Sequence, residues 1–112
     1  MIKIKIYRNI AKNIYKFDIK GHSEFNVEGL DIVCSAVSIL VLNTINCIEK
    51  FSNEKFECNA DEENGGFIEF LLPDIKEGKK NHDVLLMLNV MVYGLYNIEK
   101  EYNQYIRIKE VF

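Results

Sequence analysis

Within residues 21–38 stand a histidine, an aspartate and a cysteine, the side chains from which thiol hydrolases are built. A cysteine attacks a carbonyl carbon as its thiolate, and a free thiol is mostly protonated at neutral pH. Such a site therefore needs a base close to the sulfur, and often a third group that holds the base in place. Cys34 is the candidate nucleophile and His22 the candidate base, 34 − 22 = 12 residues earlier. Asp31 can orient His22 or cap the helix that follows it, but not easily both with one oxygen. The polar loop from Ser23 to Leu30 is placed to contact substrate, with Ser23, Glu24, Phe25 and Gly29 as candidate binding residues and Ser38 one helical turn beyond Cys34.

Positioning the pair is the task of the elements on either side. Tyr15, Phe17 and Ile19 alternate with Lys16, Asp18 and Lys20, which predicts a strand that Gly21 ends. Residues 31–51 carry Val33, Val37, Leu40, Thr44 and Ile48 at spacings of three and four, which predicts a helix. His22 thus sits at a strand exit and Cys34 about three residues into the next helix. In a two-layer fold those two ends share an edge, so the loop between them can bulge outward while its ends approach. At the start of a helix, unpaired backbone N–H groups and the positive end of the dipole favour a thiolate. Those N–H groups, that of Cys34 included, are candidate donors to an oxyanion. Gly29 gives the backbone freedom to turn just before the helix.

The other elements read as scaffold. Ile2, Ile4 and Ile6 alternate with Lys3 and Lys5, predicting a first strand joined to the second through a turn at 9–13. Phe56 and Cys58 mark a third strand and residues 67–72 a fourth, joined through the hairpin signal Asn64-Gly65. Pro73 stops the fourth strand, and residues 74–81 read as a charged connector. A second helix follows over 83–102, capped by Asn81 or Asp83, and residues 105–112 close the chain as a fifth strand. The prediction is an α+β, two-layer ββαββαβ fold with a mainly antiparallel sheet and two main helices, one domain over residues 1–112.

Composition narrows the functions. The chain has 112 residues and a formal net charge of −3, which argues against a general nucleic-acid binder and predicts no direct nucleic-acid contact. The apolar segments at 32–42 and 84–91 look too short and interrupted to span a bilayer, so no membrane partner is expected. Three cysteines and an alternating N-terminus without a signal-peptide pattern point to reduced thiols in the cytoplasm. Cys34, Cys47, Cys58, His22 and His82 lack the paired spacing of a metal site, so neither metal nor cofactor is expected. Cys47, thirteen positions past Cys34 and about 220° around the helix, reads as structural, as does Cys58.

Each of these residues also has an ordinary reading. A cysteine on an apolar helix is commonly a small core residue, a loop histidine is commonly solvated, and an aspartate at a helix start commonly caps it. Spacing alone therefore leaves catalysis open.

The joined pattern is more specific. Gly21-His22-Ser23, a short loop, and then Gly29-Leu30-Asp31-Ile32-Val33-Cys34-Ser35-Ala36-Val37-Ser38 resembles the signature of the ribosomal-processing cysteine protease family. The length and element order are similar along the whole chain. Ser23 and Ser35 stand where alanine is also common in that family. The resemblance implies a cytoplasmic homodimeric endopeptidase that removes the N-terminal extension of a large-subunit ribosomal protein, cutting after an aromatic pair. It makes Cys34 the nucleophile and His22 its base, with Asp31 and Ser38 at matching positions. A homodimer also follows from the second helix, which is apolar around most of its girth. The competing readings are a non-catalytic homodimeric module binding a ribosomal protein or assembly factor, and a thiol hydrolase of small amides.

Overall fold

Alternation in the sequence carries directly into the sheet. β1 (Ile2–Arg8) buries Ile2, Ile4 and Ile6 and turns Lys3 and Lys5 outward. β2 (Ile14–Lys20) runs antiparallel to it, pairing Ile4 with Ile19 and Ile6 with Phe17. The computed structural model describes residues 1–21, 28–61 and 66–112. His22, Ser23, Glu24, Phe25 and the Asn64-Gly65 turn lie outside the described residues.

Next come α1 (Glu28–Phe51), β3 (Glu57–Asp61), β4 (Phe67–Leu71), α2 (Pro73–Lys76), α3 (His82–Glu101) and β5 (Ile106–Val111). The strand order is β3-β4-β2-β1-β5. β3, β4, β2 and β1 pair antiparallel, but β5 lies parallel to β1, so the sheet is mixed rather than mainly antiparallel. The cause is the connection: α3 carries the chain back along the sheet before β5 begins, and such a crossover delivers a parallel neighbour.

One face of the sheet is covered by α1 and α3. Phe70 stacks between Phe17 and Phe56 at centroid distances of 5.0 and 5.1 Å. Fully burying an aromatic of this size contributes roughly 2–3 kcal/mol, so Phe17 and Phe70 anchor the core together with Ile4, Ile6, Leu88, Met91 and Leu95. α1 presents Val33, Val37, Val41 and Ile48 to this core, the stripe that a spacing of three and four dictates.

Two expectations change. α1 begins at Glu28 rather than residue 31, and Gly29–Phe51 is long and apolar enough by composition to cross a bilayer. Its buried stripe is instead packed into the core of this two-layer fold. The connector after β4 holds a short helix, α2, with Pro73 in its first turn and Ile75 fully buried. Four residues are too few to show a period, so it is silent in the sequence. Asn81 is the cap of α3, its side chain accepting from the Val84 N–H at 3.3 Å.

Candidate active site

Cys34 lies in the second turn of α1, 34 − 28 = 6 positions after its first residue. It is half-buried, whereas Asp31 three residues earlier and Ser38 four residues later are exposed. Spacings of three and four place all three on one side of the helix, and Ser35 extends that polar side. α1 is therefore a core helix whose first two turns carry a polar flank with a sulfur in it.

That placement alters the expected electrostatics. Only the first four N–H groups of a helix lack an intrahelical partner, so the N–H of Cys34 is committed to the ladder and is not a free oxyanion donor. The dipole, too, acts within the first turn. Burial pushes the Cys34 thiol above its ordinary value, the Asp31 carboxylate pushes it further, and the Met1 amino group pulls it down. Burial and Asp31 thus both disfavour the thiolate form of the sulfur. The base that ionises it must come from elsewhere, and His22, the candidate, lies outside the described residues together with Ser23, Glu24 and Phe25.

The ends of the loop are fixed by close backbone contacts. Gly21 has φ +128°, and a Cβ there would lie 2.6 Å from the Met1 carbonyl oxygen. Both facts demand glycine. Its N–H donates to the Gly66 carbonyl at 3.1 Å, which ties the exit of β2 to the start of β4. Gly29 does not serve the turn expected of it, since it lies within α1. A Cβ on it would meet the Tyr105 ring at 2.6 Å, so glycine is there to let that ring lie against the helix. Tyr105 is in turn held by its backbone, its carbonyl accepting from the Ile2 N–H at 2.8 Å. Tyr105 and Gly66 were not among the sequence candidates. Tyr105 and Gly29 are 105 − 29 = 76 positions apart, and no local pattern links them.

Cys34 and Cys47 are half-buried, Cys58 is exposed on β3, and all three thiols are free. Among the described residues no group of three His, Cys, Asp or Glu side chains could hold a metal ion.

This geometry has relatives. Residues 1–107 match the family described as cysteine protease Prp. The chain is 29% identical over 109 residues to the ribosomal processing cysteine protease Prp of Bacillus subtilis, covering 96% of each chain. It is 31% identical over 108 residues to that of Staphylococcus aureus, covering 96% of this chain and 97% of the other. Among solved structures it is similar to the S. aureus Prp protease in complex with a covalently linked product peptide, with a TM-score of 0.86, 30% identity, and 99% and 100% of the two chains covered. A Streptococcus mutans protein of known crystal structure gives a TM-score of 0.87 at 26% identity, with 99% and 94% covered. A half-buried cysteine on the polar flank of a core helix, in a chain matched nearly end to end, leaves no room for a non-catalytic module: this chain belongs to the Prp family and is a cysteine protease.

Proposed function

We propose that this chain is a ribosomal processing endopeptidase that removes the N-terminal extension of a large-subunit ribosomal protein, with Cys34 as nucleophile and His22 as its base. The observation that carries the reading is the position of Cys34. It is the one described thiol on the polar flank at the start of α1, at the sheet edge where β2 runs out toward residue 22. The S. aureus relative has been captured with a substrate peptide and with a covalently linked product peptide, which supports a peptide substrate over a small amide.

Burial and Asp31 both disfavour the thiolate, and His22 is the base that takes the thiol proton. The Cys34 Sγ–H proton passes to His22 while sulfur bonds to the scissile carbonyl carbon and the carbonyl oxygen takes the charge. Collapse breaks the C–N bond, and the proton on His22 goes to the leaving amine. Water then adds to the thioester with His22 accepting its proton, the C–S bond breaks, and the thiol is restored. General acid–base catalysis of this kind contributes roughly 10²–10⁴-fold.

The test is cleavage of the same organism's large-subunit ribosomal protein, extension included, by parent and by Cys34→Ala. The expected result is loss of the extension with the parent alone. Equal processing by Cys34→Ala would sink the assignment of the nucleophile, and no processing by either would sink the substrate.

We further propose a homodimer. Leu86, Val90 and Tyr93 on α3 and Ile32 and Ile39 on α1 are more than half exposed. They form an apolar outer surface on the helix layer, where Gly94 lets α3 approach Leu40 of α1 closely. Sedimentation should give a dimer at micromolar concentration and a monomer for Val90→Glu; a monomeric parent would overturn this. Three free thiols suit a reducing cytoplasm.

A further inference from the structure

Lysines and an arginine cluster on the face of the sheet away from the helices. Lys3 and Lys5 of β1, Lys20 of β2, and Arg107 and Lys109 of β5 are all exposed. The register brings them together. Lys3 is opposite Lys20 on one side and Arg107 on the other, and Lys5 lies between Lys109 and Asp18. Neighbouring strands are about 4.8 Å apart and alternate residues of a strand about 6.7 Å apart, so five cations occupy one continuous patch. Among the described residues none of the five forms an ion pair. Arg107 donates to the carbonyls of Asn103 and Ile106 and keeps its charge. Asp18, opposite Lys5, is buried, and Glu69 lies beyond it on β4. Glu69 pairs with Lys16 at 3.9 Å, and Asp18 accepts from the Tyr7 hydroxyl at 2.9 Å. A net charge of −3 therefore conceals a cluster of exposed cations on β1, β2 and β5 whose acidic neighbour Asp18 is buried, and net charge alone does not decide against nucleic acid there.

We propose that this sheet face binds single-stranded RNA through its phosphates. Like charges set side by side without counterions are unfavourable, and a polyanion relieves the repulsion and gains the entropy of counterion release. RNA is favoured over an acidic peptide or an anionic membrane by what adjoins the cations. Phe67 follows Lys20 in the same cross-strand row, with the Lys20 ammonium 5.7 Å from its ring, and Tyr7 lies under the Lys16 ammonium at 4.9 Å. A sheet that carries cations and aromatic rings is a platform on which phosphates pair and bases stack. Among the described residues of the patch no aliphatic cluster protrudes to enter a bilayer. The row Arg107–Lys3–Lys20 lies at the end of the sheet where β2 runs toward residue 22. If the ribosomal substrate proposed above is right, on which this last step alone rests, RNA held there would place the enzyme beside a substrate protein already on RNA.

The experiment is fluorescence anisotropy with a labelled 20-nucleotide oligouridylate, using full-length protein. The Cys34→Ala variant is titrated beside the parent so that binding is read independently of proteolysis. The comparison variant is Lys3→Ala/Lys5→Ala/Lys109→Ala, whose melting temperature is checked against the parent. Five phosphate contacts predict a log–log salt slope of about −3.5, and two predict about −1.4. We expect saturable binding by parent and Cys34→Ala alike, weakened at least tenfold in the triple variant with the shallower slope, and unchanged cleavage of a short peptide substrate. Absence of RNA binding at low salt, or equal binding by parent and triple variant, would overturn the proposal. So would lysine-dependent binding to phosphatidylserine vesicles or to a polyglutamate peptide without RNA binding. None of these outcomes bears on whether Cys34 cleaves peptides.

Discussion

The two ends of the sheet solve different problems. At one end Gly21 packs against the Met1 backbone and Gly29 against the Tyr105 ring, at the start of the helix whose thiol burial and Asp31 disfavour ionising. At the other, Arg8 Nε donates to Glu110 at 2.5 Å, and the Tyr96 hydroxyl donates to the other Glu110 oxygen at 3.0 Å. Asn9 there closes the β1–β2 turn by accepting from the Asn13 N–H through its side chain. The far end is satisfied: its carboxylate, guanidinium and phenol complete one another. At the cysteine end the carboxylate beside the thiol instead opposes its charged form. Stability and reactivity are thus placed at opposite ends of β1 and β5.

The widest separation expected is in activity. Cys34→Ala should lower peptide cleavage by at least about 10⁴-fold, because removing a nucleophile leaves only binding and electrostatic stabilisation, while Glu110→Gln should leave turnover within about twofold. Steady-state cleavage of one peptide by both variants checks this. A Glu110→Gln enzyme as dead as Cys34→Ala would erase the division between the ends.

Next in size is Gly29→Ala. Its methyl would meet the Tyr105 ring at 2.6 Å, and overpacking of this kind costs about 1–3 kcal/mol. Because the strain shifts the turn that precedes Cys34, cleavage should fall about tenfold or more. Shrinking the ring with Tyr105→Leu in the Gly29→Ala background should restore part of the stability. Denaturant melts of the two singles and the double measure the coupling, and additive losses would show that Gly29 is there for another reason.

At the satisfied end the expected effect is on stability and its pH dependence. The hydrogen bond from Arg8 holds Glu110 below the usual carboxylate range, against burial, with Tyr96 assisting. A carboxylate depressed on folding contributes stability that is fully present above its unfolded value and lost as pH falls through its folded value. Glu110→Gln should therefore destabilise by about 0.5–1.5 kcal/mol at neutral pH, with the deficit shrinking below about pH 4. Burial, and then the hydrogen bond to Glu110, raise Tyr96 to about 12. Its share is present below pH 10 and lost between there and about 12. Urea melts across pH 3–11 test both, and a pH-independent deficit would remove Glu110 from the account.

How much of this was legible in the sequence follows from the range of each interaction. The alternation of Ile2, Ile4 and Ile6, the Asn81 cap and the α1 stripe are local patterns, and all are present in the structure. Cys34, Asp31 and Ser38 share a side of α1 because three and four are helical spacings. The parallel β5, the Tyr105–Gly29 contact and the Arg8–Glu110–Tyr96 cluster join residues far apart in the chain, and no period in the sequence announces them. The clustered cations were half legible: alternating lysines mark an outward face, but only the register shows that they meet. The start of α1 was misjudged by three residues. That was enough to move Cys34 from the first turn, where N–H groups are free, into the second.

The smallest effect sharpens the comparison most. Asp31 is exposed and three residues before Cys34, and it raises the thiol second only to burial. Charges three or four apart on an exposed helix interact by roughly 0.2–0.5 kcal/mol, so Asp31→Asn should increase the thiolate fraction at neutral pH by about twofold. Iodoacetamide, being uncharged, reports that fraction as an alkylation rate, and the rate should rise by the same factor. Peptide cleavage then separates the two roles open to Asp31. If its charge acts only on Cys34, cleavage keeps pace with alkylation. If it orients His22, cleavage falls about tenfold or more while alkylation still rises, because an imidazole free to turn is a poorer base. Alkylation that slows in Asp31→Asn would contradict both, and would mean that the carboxylate supports the thiolate it was taken to oppose.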